Sequence, residues 1–132
     1  MSGILSLETS FDAAHRLMHH QGKCFCTHGH RWRVIVKLHG TPEKKSGMIL
    51  DFKEFKKQVN EVVELFDHVC ILNNEDAALI KFLKSINNRV YEIAGEPTCE
   101  NIAYTLKHLL YKKIPATLDV EVWESPTTGF QT

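Results

Sequence analysis

The chain has 132 residues, enough for one domain with a hydrophobic core and too few for two, so we expect a single domain over 1–132. Sixteen basic and sixteen acidic residues cancel, which argues against nucleic acid or an anionic membrane as a partner. No apolar run approaches the roughly 18–20 residues that span a bilayer, and the N-terminus does not resemble a signal peptide. We therefore expect a cytoplasmic protein whose four cysteines are reduced thiols.

The first two predicted elements are strands, because apolar and polar side chains alternate with a period of two. Residues 4 to 15 form the first strand, and His15 continues its apolar parity. Residues 17 to 27 show no period and contain a glycine, which predicts a loop. The apolar face of the second strand carries Trp32, Val34, Val36 and Leu38. His28 and His30, at the start of this strand, share the parity of that face.

The strongest helix signal follows the second strand. Asp51 is a favourable N-cap, and Glu54 three residues later is typical of a capping box. The apolar spacing that follows predicts a helix over about 51–66. A weaker helix over 76–86 and a short strand over 90–93 come next.

A second main helix and a last strand complete the chain. Thr98 is a suitable cap for a helix that ends near Lys113, and residues 118–123 alternate as a strand. Glu124 ends that strand on its apolar parity. The order β–β–α–(insert)–α–β lacks strict βαβ alternation, so it predicts an α+β fold in which helices cover one face of an antiparallel sheet.

Histidine is the unusual residue of this chain, with eight copies, five of them between positions 15 and 30. Residues two apart on a strand have α-carbons about 6.6 Å apart and side chains on the same side, so His28 and His30 can converge on one ion. His15 on the neighbouring strand completes a triad. Three neutral imidazoles suit Zn²⁺ and leave a fourth position open, which is typical of a catalytic site. Rival ligands have the opposite parity or lie in the loop: His39, His19 and His20.

Cys24 and Cys26, just before His28, have two interpretations. Together with His28 and His30 they form a Cys₂His₂ set that suits structural zinc, although the spacing is tighter than usual. Alternatively, a thiolate close to a cation has a lowered pKa and acts as a base or nucleophile. The residues alone leave both interpretations open.

Two carboxylates lie where they can assist chemistry. Asp67 precedes His68, and a neighbouring carboxylate orients an imidazole and raises its basicity for proton transfer. Glu124 has a core-facing parity, and burying a carboxylate unpaired costs on the order of several kcal/mol. A ligand with paired N–H donors satisfies it bidentately; otherwise it turns to solvent at the strand end.

Six short motifs occur in order along the chain. They are Phe11-Asp12-Ala13-Ala14-His15, Cys24-x-x-x-His28-Gly29-His30, Gly47-Met48-Ile49-Leu50-Asp51-Phe52, Phe66-Asp67-His68 with Leu72-Asn73, Pro97-Thr98-Cys99-Glu100-Asn101, and Val122-Trp123-Glu124. Together they resemble the 6-pyruvoyl-tetrahydropterin synthase / 6-carboxytetrahydropterin synthase family over nearly the whole length. The cysteine four residues before His28 resembles the bacterial 6-carboxytetrahydropterin synthases of queuosine (7-deazaguanine) biosynthesis more than the animal 6-pyruvoyl enzymes.

This resemblance implies a T-fold (tunnelling fold), with a four-stranded antiparallel sheet and two helices on one face. It implies a homohexamer of two stacked trimers with active sites between subunits, and a Zn²⁺ cofactor. The implied substrate is 7,8-dihydroneopterin triphosphate. The implied products are 6-carboxy-5,6,7,8-tetrahydropterin, acetaldehyde and triphosphate.

The resemblance also implies residue roles. The implied zinc ligands are His15, His28 and His30. Cys24 is the implied proton-abstracting base, and His68, oriented by Asp67, is the implied proton relay. Glu124 is the implied anchor of the amino-pyrimidine edge of the pterin, and Thr98 is a further pterin contact.

Three features depart from the family pattern. Arg31-Trp32 stands where a small polar residue and an aromatic are more usual, and Cys26 adds a second thiol beside Cys24. Residues 75–95 are longer than in the shortest relatives, and we expect them to add a helix and a strand outside the active site. Two other functions stay open: 6-pyruvoyl-tetrahydropterin formation in tetrahydrobiopterin-type synthesis, and a non-catalytic zinc-stabilised binding module.

Overall fold

The helices and strands follow the predicted order, with two strands added. The computed structural model describes residues 1–132. The strands are β1 (Gly3–His15), β2 (His28–Gly40), β3 (Val69–Asn73), β4 (Val90–Ile93), β5 (Leu118–Trp123) and β6 (Gly129–Gln131). The α-helices are α1 (Phe52–Val63), α2 (Ala77–Ser85) and α3 (Cys99–Lys113). None of them combines the length and apolar character needed to cross a lipid bilayer.

All strands join one six-stranded sheet in the order β4-β3-β1-β2-β5-β6. The β1–β2, β2–β5 and β5–β6 pairs are antiparallel. The β1–β3 and β3–β4 pairs are parallel. The α+β class is therefore confirmed. The sheet has six strands where four antiparallel strands and a small insert were expected, and two of its pairings are parallel.

The two additional strands lack the pattern that reveals a half-buried strand. All five residues of β3 are buried, so its sequence shows no alternation between apolar and polar side chains. β6 has three residues and is too short to show a period. Its position comes from pairing with β5, in which Phe130 lies opposite Val122.

The two main helices cover one face of the sheet, as expected. The core between them and the sheet includes Val34, Val36, Phe55, Val59, Ile102, Leu106 and Val120. The insert helix α2 lies instead on the opposite face, because its Ile80 packs against Cys70 and Leu72. Those side chains have the opposite parity from Val69 and Ile71, which join the main core.

The remainder of the opposite face is mainly polar and carries cross-strand ion pairs. The Lys37 ammonium lies 2.7 Å from a Glu121 carboxylate oxygen, and His39 Nε2 lies 2.7 Å from Asp119 Oδ2. Surface pairs of this kind add little stability. The His39 contact places its imidazole away from the helix-covered face, in agreement with its parity.

Helix α1 begins as predicted but is shorter. The Asp51 carboxylate caps it by accepting the Lys53 N–H at 2.8 Å. The expected capping box is wrong in its second half, because the Glu54 carboxylate accepts a hydrogen bond from Gln58 one turn later. The α-helix ends at Val63, and the segment predicted to continue it, Glu64–Phe66, is a single 3₁₀ turn.

Two phenylalanines in α1 provide a test of where the core lies. Phe55 has none of its surface exposed, whereas Phe52 is 67% exposed. We expect Phe55→Ala to lower the free energy of unfolding by about 3–5 kcal/mol through lost burial and a residual cavity. Phe52→Ala is the matched control and changes it by less than about 0.5 kcal/mol. Urea unfolding followed by circular dichroism measures both; equal losses would contradict the packing of α1.

Candidate metal centre and active site

Three histidines converge where β1 ends and β2 begins. His15 is the β1 residue opposite His28, and Ala13 lies opposite His30. One nitrogen from each imidazole lies within 4.8 Å of the others. Three ligands bound tetrahedrally at 2.0–2.1 Å have nitrogens about 3.3 Å apart, so small side-chain movements suffice to bind one ion. The structure thus brings together the three histidines selected by strand parity.

The outer nitrogens of two of these rings donate to backbone carbonyls. His15 Nδ1 donates to the Pro97 carbonyl at 2.8 Å, and His28 Nδ1 donates to the Cys26 carbonyl at 2.7 Å. Each bond fixes the ring orientation and leaves Nε2 with its lone pair for a metal, as in known metal sites. No sequence pattern identifies either carbonyl beyond the position of Pro97 in a motif.

The two free nitrogens face each other. His15 Nε2 and His28 Nε2 lie 3.0 Å apart. With both Nδ1 atoms already donating to carbonyls, two neutral rings direct lone pairs at one another, and a shared cation removes this repulsion. The geometry and the chemistry of the donors therefore fit a metal ion.

Burial favours the neutral form of His15 and of His30. His15 is 2% exposed, and this burial lowers its pKa to about 4, although the hydrogen bond to Pro97 acts in the opposite direction. Burial also lowers the pKa of His30, against the nearby Glu124 carboxylate. A metal binds the neutral imidazole. Because the pKa of His15 is about 4, nearly all of this side chain is already neutral above pH 5, and metal binding displaces almost no proton from it.

Glu124 lies beside the histidine cluster. Its Oε2 is 3.9 Å from His30 Nε2, and its side chain is 35% exposed. It lines a groove of about 890 Å³ together with Gly29, His30, Trp123 and Ser125. The core-facing parity thus directs this carboxylate toward both the cluster and an open space large enough for a small molecule.

Cys24 lies in a 3₁₀ turn, Lys23–Phe25, of the loop that joins β1 and β2. It is half-buried, and its neighbour Cys26 is exposed. The only cluster of three or more potential ligands contains the histidines and neither cysteine. This arrangement disfavours the Cys₂His₂ set and leaves Cys24 as a free thiol near the cluster in sequence.

Asp67 and His68 form a pair at the start of β3. Asp67 Oδ2 lies 2.8 Å from His68 Nδ1, and Asp67 Oδ1 accepts the Asp12 N–H at 3.0 Å. Both bonds lower the pKa of Asp67, and the bond from the Asp12 N–H has the larger effect. The His68 side chain is 73% exposed and lies outside the histidine cluster. Within one subunit the pair therefore faces solvent and not the three histidines.

Thr98 caps α3 next to the carbonyl that holds His15. Its hydroxyl oxygen accepts the Asn101 N–H at 3.2 Å. The residue before it, Pro97, provides the carbonyl bound by His15. The cap therefore fixes the backbone at the point where α3 meets the metal centre.

Comparison with known proteins identifies the family. The sequence profile described as 6-pyruvoyl tetrahydropterin synthase matches residues 4–132. The chain belongs to this family. A 6-carboxy-5,6,7,8-tetrahydropterin synthase of Rickettsia conorii is 34% identical over 106 residues, covering 79% of this chain and 77% of the relative. One from Haemophilus influenzae is 30% identical over 132 residues, covering 94% of each.

A solved family member confirms the fold. The 6-pyruvoyl tetrahydropterin synthase of Caenorhabditis elegans superposes with a TM-score of 0.74 at 26% identity, covering 100% of this chain and 95% of that one. The T-fold inferred from the six motifs is therefore confirmed for this member of the family. Its sheet has six strands here, because β3, β4 and β6 extend the three long strands.

The metal centre yields a test with a control on the same strand. We expect His30→Ala to weaken Zn²⁺ binding by more than about 100-fold, because removing a ligand costs more than removing its supporting contacts. His39→Ala is the matched control and retains the affinity, since its ring pairs with Asp119 on the other face. Competition with a chromophoric chelator at pH 7 measures both. Unchanged affinity in His30→Ala would contradict the three-histidine set.

Proposed function

We propose that this protein is a 6-carboxy-5,6,7,8-tetrahydropterin synthase of queuosine (7-deazaguanine) biosynthesis. It converts 7,8-dihydroneopterin triphosphate and water to 6-carboxytetrahydropterin, acetaldehyde and triphosphate. The observation that carries the proposal is the placement of Glu124 beside His30, which belongs to the cluster of three converging histidines and lines the same groove as Glu124. The names of the relatives, at 30–34% identity over most of the chain, support the same activity.

We assign Zn²⁺ to the three histidines. The set of three neutral imidazoles with two carbonyl-fixed tautomers suits this ion and leaves a position for substrate. When bound, zinc supplies Lewis acidity that polarises the side-chain hydroxyls of the substrate and lowers their pKa. The protein contributes the fixed ring orientations and the buried surroundings of His15.

Glu124 binds the pterin in this proposal. A carboxylate accepts two parallel N–H bonds from the amino-pyrimidine edge, which fixes both the position and the orientation of the ring. The 3.9 Å separation between Glu124 and His30 places this anchor next to the metal ligands. A pterin held there directs its C6 side chain toward the histidines. Thr98, beside Pro97, is a further pterin contact.

Cys24 is the proposed base, and Asp67–His68 is the proposed proton relay. The loop thiol removes a proton from the substrate side chain, and a base positioned in this way contributes about 10²–10⁴-fold in rate. His68 is exposed and its partner Asp67 is held by the backbone of β1. We therefore propose that this pair reaches the cluster of a neighbouring subunit, in a homohexamer of two trimers.

The alternative activity is 6-pyruvoyl-tetrahydropterin formation. It is favoured by the description of the matching family profile and by the Caenorhabditis elegans structure. Both reactions use the same substrate and both lose triphosphate, but only the carboxy reaction breaks the carbon–carbon bond that releases acetaldehyde. The product therefore separates them.

Incubation of the zinc-loaded protein with 7,8-dihydroneopterin triphosphate, followed by mass analysis, tests the activity. We expect acetaldehyde and 6-carboxytetrahydropterin in equal amounts. Cys24→Ala is expected to retain zinc and fold while turnover falls about 10²–10⁴-fold. Cys26→Ala is the matched control and keeps its activity.

Three other outcomes have distinct meanings. A pyruvoyl product without acetaldehyde supports the alternative reaction. Loss of turnover in Cys26→Ala alone assigns the base to Cys26. Loss of zinc together with unfolding in Cys24→Ala favours a zinc-stabilised binding module, because structural zinc contributes folding free energy.

A second experiment addresses the pterin anchor. We expect Glu124→Gln to weaken binding of a fluorescent pterin such as neopterin by about 10–100-fold, since hydrogen bonds to a charged group contribute about 1.5–3 kcal/mol. Glu121→Gln is the control on the same strand, because Glu121 pairs with Lys37 on the opposite face. Fluorescence titration measures both dissociation constants. Equal affinity in Glu124→Gln and the unmodified protein removes the anchoring role.

A further inference from the structure

Arg16 connects the insert that carries α2 to the part of the loop that carries Cys24. We propose that Arg16, held by Asp76, is a positioning residue for Cys24, so that residues 75–95 act on the active site and do not merely extend the fold. This inference rests on the proposed function for the role of Cys24. The contacts themselves are independent of it.

Asp76 directs its carboxylate to Arg16 and away from its own helix. It occupies the N-cap position of α2, where aspartate ordinarily accepts a backbone N–H, but its side chain makes no such bond. Its two oxygens instead accept from Arg16 Nε at 2.7 Å and Nη2 at 2.6 Å. The Asp76 side chain is 3% exposed. A buried bidentate pair of this kind fixes geometry more than it adds stability.

Strand alternation places the Arg16 side chain on the side of the sheet opposite to the His15 side chain, next to α2. It follows His15 directly, and successive side chains point to opposite faces. His15 therefore joins the metal cluster while Arg16 turns toward α2. The backbone of Arg16 therefore adjoins a residue of the histidine cluster, while Asp76 holds its guanidinium.

The other surface of the guanidinium contacts the Cys24 loop. Arg16 Cζ lies 4.8 Å from the centre of the Phe25 ring, a cation–π contact. Phe25 is the residue after Cys24, and 45% of its surface is exposed. The contact with the Arg16 guanidinium therefore helps to hold the Phe25 ring in place. An arginine that is itself immobilised by Asp76 holds the ring better than a free surface side chain does.

The loop has other attachments beside this one, and two of them involve the residues on either side of Phe25. The Cys24 carbonyl accepts the Leu17 N–H at 2.9 Å, and the Cys26 carbonyl accepts from His28 Nδ1 at 2.7 Å. The backbone of Cys24 is thus held by Leu17, two residues after the end of β1, and the following residue is held by Arg16. The Phe25 contact is the attachment next to Cys24 that depends, through Arg16, on a side chain of the insert. Breaking it leaves the metal ligands in place but releases the segment that orients the thiol.

The test uses the zinc-loaded full chain with two variants that act through Arg16. Asp76→Asn removes the charge that holds Arg16, and Phe25→Leu removes the aromatic face while keeping an apolar side chain. We expect each to lower kcat at least about tenfold, with KM and zinc content unchanged, because a displacement of about 1 Å can cost 10²-fold. The double variant loses no more than the larger single loss, since both substitutions act through one residue.

A second measurement does not need the pterin reaction. Iodoacetamide alkylation of Cys24, located by fragment-ion mass spectrometry, is expected to become at least threefold faster in both variants as the loop is released. Glu92→Gln is the matched control. It breaks an exposed insert ion pair, Lys84 Nζ–Glu92 Oε2 at 2.9 Å, and leaves kcat and alkylation unchanged.

Unchanged kcat and alkylation in Phe25→Leu overturn the proposal, and so do additive losses in the double variant. If Asp76→Asn does not fold, Phe25→Leu still decides the outcome. If the unmodified protein forms no product from 7,8-dihydroneopterin triphosphate, the proposed function fails. The alkylation rates then still report whether Arg16 positions the loop.

Discussion

The pairing of β1 with β2 is the constraint on which the metal centre depends. The two 13-residue strands pair from end to end, and the last pair is His15 opposite His28. A slip of one residue would send His15 to the opposite face, because side chains alternate along a strand. Phe11 and Trp32 face each other in this register and stack at 5.9 Å, so core packing opposes the slip. The apolar side chains that stabilise the sheet therefore also determine where the ligands meet.

Trp32 connects this core to the chemistry. It is fully buried, and its ring lies 4.9 Å from His15 and 5.3 Å from His30. Its Nε1 donates to the Ala13 carbonyl at 3.1 Å, which satisfies its one polar atom. His15 and His30 thus have an apolar wall on one side, and His30 also borders the groove that Glu124 lines. Such a wall excludes water from one side of an ion and strengthens electrostatic interactions in the site.

The parts of this structure that could be predicted are those encoded locally. Alternation in two strands placed His15, His28 and His30 on one face, and the parity of Glu124 directed it toward them. What could not be predicted depends on packing between distant segments. β3 has no alternation because both of its faces are buried, and the face covered by α2 is set by its contacts with β3. The Arg16–Asp76 pair spans 60 positions, and no local pattern reveals it.

The hydrogen bonds that orient two of the three histidines go to main-chain atoms. His15 and His28 each donate to a carbonyl, of Pro97 and of Cys26. Every amino acid supplies that acceptor, so substitution of either side chain preserves the bond as long as the local backbone path is kept. Side-chain substitutions at Pro97 and Cys26 that keep the backbone path therefore leave the metal affinity unchanged. The loop sequence can vary while the coordination geometry is retained. Insertions and deletions, which move the backbone, are the changes to which this centre is sensitive.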